Sequence, residues 1–395
     1  MHARDSMKIL QLTSSLSAKS GGPPMVVTRL AAAQAGLGHD VTLCAYATAP
    51  GDAESPVDLE RAGGRLTNVR MPRGGSLERV YPRAGMAFLR DMLPSFDVLH
   101  IHSLWEPICL GASMVARSLG VPYALAPHGM LDPWALSEKA LKKKVFLALA
   151  YRRMVERAAM VHALSRYEAE SIRGLGVRAS IETIPNGVFL EEIDPLPAKG
   201  TFFASRPELR GEPYALFLSR LHPVKGLDVL CDAFALVLRE CPSARLVVVG
   251  PDWGAQGALE AQAKALGVAE RVHLTGPLYG KDKFAAMVDA SCFVLPSRHE
   301  AFSVAIVEAL AAGCPPVISE QCHFAEVEGE GAGFCVAREA SRVAEPMVKL
   351  LRDAGLRETM GRAGRAMVEA RYTWPRIAAA SVEAYARARA RRAGG

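Results

Sequence analysis

Two glutamates near residue 300 stand out because of the residues around them. Glu300 lies in the polar run SRHEAF, and Glu308 follows eight residues later in an otherwise apolar stretch that continues to Ser319. An ionised carboxylate among apolar side chains is costly unless it has hydrogen-bond partners. One interpretation is a structural carboxylate paired with an arginine or with backbone N–H groups. The other is that Glu308 binds the two hydroxyls of a ribose while Glu300 reaches an attached sugar.

Two cations lie in a second stretch, LSRLHPVKG at 218–226, which follows an apolar strand-like run and opens a helical pattern. Arg220 and Lys225 are therefore predicted at the carboxyl end of a strand. Arginine can bind phosphate oxygens through two parallel hydrogen bonds, and lysine adds a point charge. The alternative is a solvated pair of surface cations. A helix predicted to start near Ser303 adds free N–H groups and a positive dipole, so the set favours a diphosphate.

Histidines and a tryptophan form a third group of candidates. His100 and His102 in LHIHSLW point to one face of a predicted strand, but no third metal ligand is evident, so core packing or a cleft-edge role for His102 is favoured. His128 in APHGML follows a strand and precedes a glycine. It has either a structural or a binding role. Trp105 is a candidate platform for an acceptor, with ordinary burial as the alternative.

The elements that must position these residues alternate between β-rich runs and helical patterns, which predicts parallel sheets covered by helices on both faces. Ligands of such sheets bind beyond the carboxyl ends of the strands. The strands are predicted at 8–13, 41–46, 97–103, 123–129, 160–165 and 181–187 in the first half, and at 214–220, 245–250, 271–276, 292–297, 315–319 and 333–336 in the second.

The domain boundaries follow from one break in this rhythm. A proline-rich stretch predicts a linker over 195–213, between an N-terminal Rossmann-like domain over 1–194 and a C-terminal one over 214–374. Three helices are predicted at the end of the chain, and we expect the last, at about 375–395, to pack back on the N-terminal domain.

Composition and missing motifs exclude several classes of protein. A net charge of +6 over 395 residues does not indicate a nucleic-acid-binding protein. Eight scattered cysteines without a CxxC pair argue against a zinc site and favour a reducing, cytoplasmic compartment. No apolar run approaches the length of a membrane span. The absence of GxGxxG and GxxxxGK argues against a nicotinamide oxidoreductase and a P-loop kinase.

Together these stretches resemble the motifs of retaining nucleotide-sugar glycosyltransferases with the GT-B fold, glycosyltransferase family 4. The resemblance rests on SRLHPVKG, on the Glu-x7-Glu pattern in SRHEAFSVAIVEALAAGCPPV, and on SGGPP, APHGML, ALSRYEAESIR and IPNGV in the family's order. It covers nearly the whole chain. The chain departs from the family's usual pattern at Ala301 and Ser303, which replace glycines, and at Phe189, which replaces an aspartate. The first two changes bear on the identity of the donor sugar.

The resemblance implies two Rossmann-like domains that face each other across a cleft, the first binding the acceptor and the second the donor. It implies catalytic roles for His128, Arg220, Lys225 and Glu300. Acceptor contacts are expected from Gly21, His102 and Trp105. The residues expected to bind the donor are Gly22, Ser219, Arg220, Lys225, Gly250, Leu278, Glu300, Ala301, Phe302, Ser303, Val304 and Glu308.

The expected reaction moves a hexose from a nucleotide diphosphate sugar to a saccharide or lipid-linked saccharide, with retention, in bacterial polysaccharide or glycoconjugate biosynthesis. No Asp-x-Asp pair occurs, so neither a metal nor another cofactor is expected. The alternatives are a sugar-nucleotide epimerase or hydrolase of the same fold and a non-catalytic sugar-nucleotide-binding protein.

A basic segment at 138–158 bears on location. It carries Lys139, Lys142, Lys143, Lys144, Arg152, Arg153 and Arg157 around an apolar centre. A solvated basic helix face is one interpretation. The other is a helix on an anionic membrane surface, which gives a cytoplasmic protein that is peripheral at the inner face of the plasma membrane.

Overall fold

The computed structural model describes residues 6–17, 22–49, 51–75, 80–137, 147–209 and 211–393. Two of the predicted features lie wholly or partly outside these residues, namely Gly21 and the part of the basic segment at 138–146. Contacts divide the chain into two units. Unit 1 consists of the described residues up to Asn186 together with those from Trp374 onward, and unit 2 consists of Gly187–Thr373.

Unit 1 contains a seven-stranded parallel sheet in the order β3-β2-β1-β4-β5-β6-β7. Its strands are β1 Lys8–Leu12, β2 Asp40–Tyr46, β3 Leu66–Met71, β4 Val98–His102, β5 Tyr123–Ala126, β6 Met160–Ala163 and β7 Ile181–Thr183. The sequence analysis missed β3. Its sequence, LTNVRM, lacks an apolar run because this edge strand exposes polar side chains.

The helices of unit 1 cover this sheet. They are α1 Gly22–Gly36, α2 Arg83–Met92, α3 Pro107–Ser118, α4 Pro133–Ser137, α5 Arg152–Glu156, α6 Arg166–Gly174 and α15 Trp374–Ala393. A π-helical turn, Leu147–Tyr151, leads into α5. Helix α15 packs against α1, so the end of the chain completes the first unit.

Unit 2 contains a six-stranded parallel sheet in the order β10-β9-β8-β11-β12-β13. Its strands are β8 Tyr214–Leu218, β9 Arg245–Val249, β10 Val272–Gly276, β11 Cys292–Leu295, β12 Pro316–Ser319 and β13 Phe334–Val336. Its helices are α7 Thr201–Ser205, α8 Leu227–Glu240, α9 Gln256–Ala265, α10 Gly280–Asp289, α11 Val304–Ala311, α12 Glu326–Gly329, α13 Ala340–Arg352 and α14 Ala354–Arg371. The predicted fold class, two Rossmann-like parallel-sheet domains, is confirmed.

The segment that the sequence analysis assigns to a linker, 195–213, is packed in unit 2. Phe202 and Leu209 are buried in that unit's core. The Asp289 carboxylate accepts hydrogen bonds from the backbone N–H groups of Gly200 and Phe202, at 2.5 and 2.9 Å. These contacts could not be inferred from the sequence, because the prolines interrupt helical and strand periodicity in this segment.

Both sheets reverse their strand order next to the first strand of the unit, at β1/β4 and at β8/β11. Connections leave in opposite directions at such a point, which opens a crevice beyond the carboxyl ends of the strands. The candidate residues of unit 2 follow β8, β9, β10 and β11, and those of unit 1 follow β1, β4 and β5.

Candidate functional site

The candidate site of unit 2 is built from the loops that follow β8 and β11, two neighbouring strands. The backbone N–H of Arg298 donates to the carbonyl of Val224 at 2.7 Å, and that of Glu300 donates to the carbonyl of Gln321 at 3.0 Å. The Ser319 hydroxyl donates to the carbonyl of Ser297 at 2.7 Å. These bonds fix the positions of the two loops at the sheet edge.

Two glycines allow this close arrangement. Gly250, after β9, has φ +148°, and a Cβ there would lie 1.8 Å from the carbonyl oxygen of Ser219. Gly226, after the Lys225 turn, has φ +72°, and a Cβ there would lie 1.9 Å from the carbonyl oxygen of Pro296. Any other residue would force the backbone of these loops apart.

Lys225 and Glu300 form an ion pair of 2.7 Å and are both buried, with 9% and 7% of their surfaces exposed. The Ser297 hydroxyl donates to the same Glu300 oxygen, Oε1, at 2.6 Å. No described residue donates to Oε2. Lysine carries three donors, so Lys225 keeps two for a ligand, and Glu300 keeps one oxygen.

Arg220 is exposed, and its guanidinium lies 4.4 Å from the ring centroid of Trp253. In the part of the chain that the structure describes it has no acidic partner. Stacking on an aromatic face orients the guanidinium plane and leaves its N–H edge available. Trp253 itself is 44% exposed. The guanidinium of Arg220 is therefore available to bind an anion.

Helix α11 begins at Val304, and Ser303 is its N-cap by backbone conformation, with φ −100° and ψ 107°. The predicted helix start is confirmed, but the side chain of Ser303 makes no capping hydrogen bond. The first-turn N–H groups of a helix need an acceptor from outside the helix. Phe302 and Ala301, just before this turn, are half-buried.

Glu308 lies on α11 and forms a 2.7 Å ion pair with Lys283 of α10. Both side chains are about one-fifth exposed, at 18% and 19%. A structural pair was one of the two interpretations of Glu308, but this pair is not sealed in the core. The second carboxylate oxygen of Glu308 accepts no hydrogen bond from the described residues. Lys283 was not predicted because it looks like any lysine on a helix.

The other donor-site candidates of unit 2 lie at neighbouring strand ends. Ser219 is half-buried, and its N–H donates to the carbonyl of Val249 at 3.1 Å. Leu278 follows β10 and is half-buried against the core. The geometry therefore brings Lys225 and Glu300 into contact, and it places Arg220 and the start of α11 beyond the ends of the neighbouring strands β8 and β11.

In unit 1, the histidines at the end of β4 and β5 come together as well. His102 Nδ1 lies 3.0 Å from His128 Nε2, and His102 Nε2 lies 2.6 Å from Gln11 Oε1. Burial lowers the pKa of His128 to about 3 and that of His102 well below its usual value. Both rings are therefore neutral at pH 7. Among the described residues, no cluster of three metal-binding side chains occurs here or elsewhere.

The remaining candidates of unit 1 are less organised. Gly22 is exposed at the first position of α1. Trp105 is half-buried and packs edge-on against Tyr151, with ring centroids 5.3 Å apart. Its indole N–H is buried and has no acceptor in the described parts of the chain.

Sequence analysis also missed Glu168, which is fully buried and holds the loop that carries His128. Its carboxylate accepts hydrogen bonds from the N–H groups of Gly129 at 2.6 Å and Leu164 at 2.7 Å. The signal was present, because Ser165 and Glu168 form the S-x-x-E pattern of a helix N-terminus, and Ser165 accepts from the N–H of Glu168 at 3.1 Å.

Comparison with known proteins agrees with this architecture. Residues 199–367 match the family described as glycosyl transferases group 1, and residues 21–187 match the glycosyl transferase 4-like domain. The chain is 30% identical to a phosphatidyl-myo-inositol mannosyltransferase of Mycobacterium leprae, over 92% of either chain. It is also 30% identical to a GDP-mannose-dependent alpha-(1-6)-phosphatidylinositol monomannoside mannosyltransferase of Mycobacterium tuberculosis, over 74% of this chain and 76% of that one.

Among solved structures, Anabaena HepE in complex with UDP and glucose is similar in fold, with a TM-score of 0.75 and 23% identity. The similarity covers 95% of this chain and 98% of that one. The sequence relationship to the mannosyltransferases and the two family matches establish the family, and the shared fold agrees with it. The chain belongs to family 4 of the GT-B glycosyltransferases, and it is a glycosyltransferase.

Proposed function

We propose that this glycosyltransferase moves a hexose from a nucleotide diphosphate sugar to a saccharide or lipid-linked saccharide, with retention of configuration. One observation carries the proposal: Arg220, Lys225 and the uncapped start of α11 lie at the carboxyl ends of the neighbouring strands β8 and β11. A diphosphate leaving group gains negative charge as the sugar departs. Preorganised cations and N–H groups stabilise that charge.

The two glutamates supply acceptors on either side of this anion site. Glu300 keeps Oε2 for a hydroxyl of the transferred sugar while Lys225 and Ser297 hold Oε1. Glu308 keeps one oxygen for the ribose while Lys283 donates to the other. A carboxylate accepts several hydrogen bonds, so the lysine and a hydroxyl can share it.

Glu300 is poorly suited to attack the sugar as a covalent nucleophile, because its charge is compensated by Lys225 at 2.7 Å. This supports retention by same-face displacement. The bond from the anomeric carbon to the leaving phosphate oxygen breaks, and the acceptor oxygen forms the new bond on the same face. The phosphate then takes the acceptor's proton. We assign His128 to a contact with the transferred sugar and propose that protein groups, rather than a metal, stabilise the diphosphate.

The named relatives suggest the first substrates to test. One relative at 30% identity is GDP-mannose-dependent, and another acts on phosphatidyl-myo-inositol. We therefore propose GDP-mannose as the first donor and a phosphatidylinositol lipid as the first acceptor. Ala301 and Ser303 lie between Glu300 and the start of α11, where the family resemblance implies the donor sugar, so related hexoses belong in the same panel. Glycoconjugate or polysaccharide biosynthesis is the proposed setting.

A basic groove on unit 1 supports a peripheral position at an anionic membrane. Arg117 of α3 and Arg153 of α5 line it together with Arg157, and none of the three has an acidic partner in the described regions. Met114, 43% exposed, lies beside them. Unpaired arginines next to an apolar side chain suit lipid phosphates above an acyl layer. No helix in the described residues is long and apolar enough to span a bilayer.

The donor is identified by thermal unfolding with GDP-mannose, UDP-glucose and ADP-glucose, and a donor well above its Kd should stabilise the protein by about 2–4 kcal/mol. The reaction is then followed by nucleotide release with and without phosphatidylinositol. Release that depends on the acceptor supports transfer, whereas equal release without it indicates hydrolysis. Product NMR tests retention through the anomeric configuration, and addition of EDTA tests metal independence.

Membrane association is tested by sedimentation with vesicles. We expect the protein to pellet with vesicles that contain phosphatidylserine, to stay in solution with pure phosphatidylcholine, and to be released by salt. The triple substitution of Arg117, Arg153 and Arg157 by glutamine should abolish pelleting. Equal pelleting with both vesicle types would contradict the proposal.

A further inference from the structure

A chain of hydrogen bonds runs through the interior of unit 1 behind His128. It connects three strands with helices α1 and α15. Its members, in order, are His128, His102, Gln11, Gln34, Tyr385, His100, His162 and the carbonyl of Ile184. All of the side chains except His128 are at most 2% exposed, and none of their polar atoms lacks a partner within the described residues. We call these residues the relay.

The direction in which the hydrogen bonds of the relay point is set at the end opposite His128. His162 Nε2 lies 2.7 Å from the carbonyl oxygen of Ile184, which can only accept, so Nε2 carries the proton. Burial lowers the pKa of His162 to about 4 and that of His100 well below its usual value, so both rings are neutral. His162 Nδ1 is therefore an acceptor, and His100 donates to it from Nε2, at 3.4 Å.

The donors and acceptors in the middle of the relay follow from the protonation of His100. His100 Nδ1 must accept, so the Tyr385 hydroxyl donates to it, at 2.8 Å, and is itself left to accept from Gln34 Nε2, at 3.1 Å. The Ser381 hydroxyl independently indicates the same orientation of the Gln34 amide. The Ser381 hydroxyl donates its one hydrogen to the carbonyl of Ala378 at 2.7 Å and so accepts from Gln34 Nε2 at 2.8 Å.

With both amide hydrogens of Gln34 used, its Oε1 faces Gln11 and accepts from Gln11 Nε2 at 2.7 Å. Gln11 Oε1 then accepts from His102 Nε2, and His102 Nδ1 accepts from His128 Nε2. Every hydrogen bond of the relay points the same way. His128, the one member whose side chain is partly exposed, is left with an unprotonated Nδ1 that forms no hydrogen bond with any described residue.

We propose that the relay fixes His128 as the neutral Nε2–H tautomer and presents its Nδ1 as a hydrogen-bond acceptor for a hydroxyl group of the sugar substrate. Gln11, Gln34, Ser381 and Tyr385 are then positioning residues that act through His102. An acceptor of this kind binds hydroxyls and rejects phosphate or carboxylate oxygens. The substrate class rests on the proposed function, whereas the tautomer does not.

The tautomer is measured by long-range proton–nitrogen NMR correlations on the full chain labelled with ¹⁵N-histidine, with signals assigned by His128→Asn and His102→Asn. At pH 7 we expect the Nε2–H pattern for His128, His102, His100 and His162. An Nδ1–H pattern or a protonated ring at His128 would overturn the proposal.

The double variant Ser381→Ala/Tyr385→Phe tests whether Ser381 and Tyr385 orient the Gln34 amide, because it removes both acceptors of that amide. The Gln34 side-chain amide can then turn over. The Gln11 amide and the tautomer of His102 can change with it. We expect His128 to show a mixture of tautomers and kcat/KM to fall at least tenfold with the donor found in the panel. Tyr123→Phe is the matched control, because the Tyr123 hydroxyl donates to the carbonyl of Met154, outside the relay.

The control should leave the His128 spectrum unchanged. A double variant whose His128 keeps the pure Nε2–H pattern would contradict the anchoring role of α15. If no donor in the panel is turned over, the proposed function fails but the NMR patterns still decide whether the relay sets the tautomer. If the tautomer shifts while kcat/KM is unchanged, the contact with a substrate hydroxyl is wrong.

Discussion

The two units carry polar side chains at equivalent places, near the switch point of a parallel sheet, but they satisfy them differently. In unit 1 the polar groups behind His128 are all paired with one another and buried. In unit 2 the groups around Lys225 are only half satisfied, because Glu300 and Glu308 each keep an oxygen and Arg220 has no acidic partner among the described residues. A closed network fixes one arrangement, and an open one leaves atoms for a ligand.

The helix starts show the same contrast. Ser165 of unit 1 accepts a hydrogen bond from the first turn of α6, whereas Ser303 of unit 2 does not cap α11. Both are serines at an N-cap position. A capped helix start is satisfied by the protein, and an uncapped one at a loop edge requires water or an anion. The difference supports the proposed anion site at the start of α11 and offers no such site at the start of α6.

The strongest test of the contrast is Lys225→Ala. We expect kcat/KM to fall by roughly 100- to 1000-fold, because a cation that stabilises the leaving group is lost. We also expect a loss of about 3 kcal/mol in the free energy of unfolding, because Glu300 is left buried and unpaired. Activity assays and urea unfolding measure the two effects.

The double variant Lys225→Ala/Glu300→Gln separates the effect on activity from the effect on the free energy of unfolding. It removes the stranded charge, so stability should largely return while activity does not. Recovery of activity together with stability would show that Lys225 serves only the ion pair.

A second test uses pH and acts on unit 1. Burial lowers the pKa of His128 to about 3 and that of His162 to about 4, and it also lowers the pKa values of His100 and His102 well below their ordinary value. Below about pH 6.5 the unfolded chain therefore binds protons that the folded chain does not. Stability falls with falling pH, by about 1 kcal/mol for each histidine between pH 7.5 and 5.5.

Urea unfolding across this range measures the effect, which we expect to reach roughly 4 kcal/mol in sum over the four histidines. Because His100 and His162 are fully enclosed, His162→Gln should reduce the slope by about one histidine's share. A stability that stays flat down to pH 5 would mean that these rings are charged or exposed.

The third test asks whether Glu308 serves a ligand or only Lys283. Glu308→Ala should weaken donor binding by about 30- to 100-fold, equivalent to about 2–3 kcal/mol, through the loss of hydrogen bonds to a charged acceptor. Lys283→Met is the matched variant and should change the donor Kd less than about threefold, because it leaves the carboxylate in place. Equal losses in both variants would favour the structural interpretation. Calorimetric titration supplies the Kd values.

The smallest expected effect is that of Arg220→Lys. The charge is kept but the planar fork and its stacking on Trp253 are lost, so donor affinity should fall about tenfold. The exposed position predicts a change in unfolding free energy within about 0.5 kcal/mol. An unchanged Kd would indicate that Arg220 is a solvated surface cation, which was the alternative interpretation of this residue.

Much of the architecture was predictable because parallel strands buried on both faces are apolar runs. Twelve of the strands were predicted in this way, and β3 was missed because it is an exposed edge strand. Leu227, Leu230, Phe234 and Val237 recur at helical spacing, and all four are buried on one face of α8. The positions of the candidate residues after β8 and β11 were predictable as well, since polar motifs at strand ends interrupt apolar sequence.

The relay was not predictable, although the sequence analysis names three of its members, His100, His102 and His128, as candidates. Gln11 is a polar residue in the apolar strand KILQL, but nothing in the sequence connects it with Gln34 or with Tyr385, more than 350 residues away. Such contacts depend on which helices pack on which face of the sheet. Lys283 is hidden for the same reason, because a helical lysine becomes a partner of Glu308 only when α10 and α11 lie side by side.

The sequence by itself determined the fold class and the chemistry available at the strand ends, because periodicity and residue type act over a few neighbours along the chain. Only the tertiary structure decided which of those polar groups are paired and which remain open. Hydrogen-bond partners are set by proximity in space, and Ser165 and Ser303, identical as residues, differ only in what the fold puts beside them.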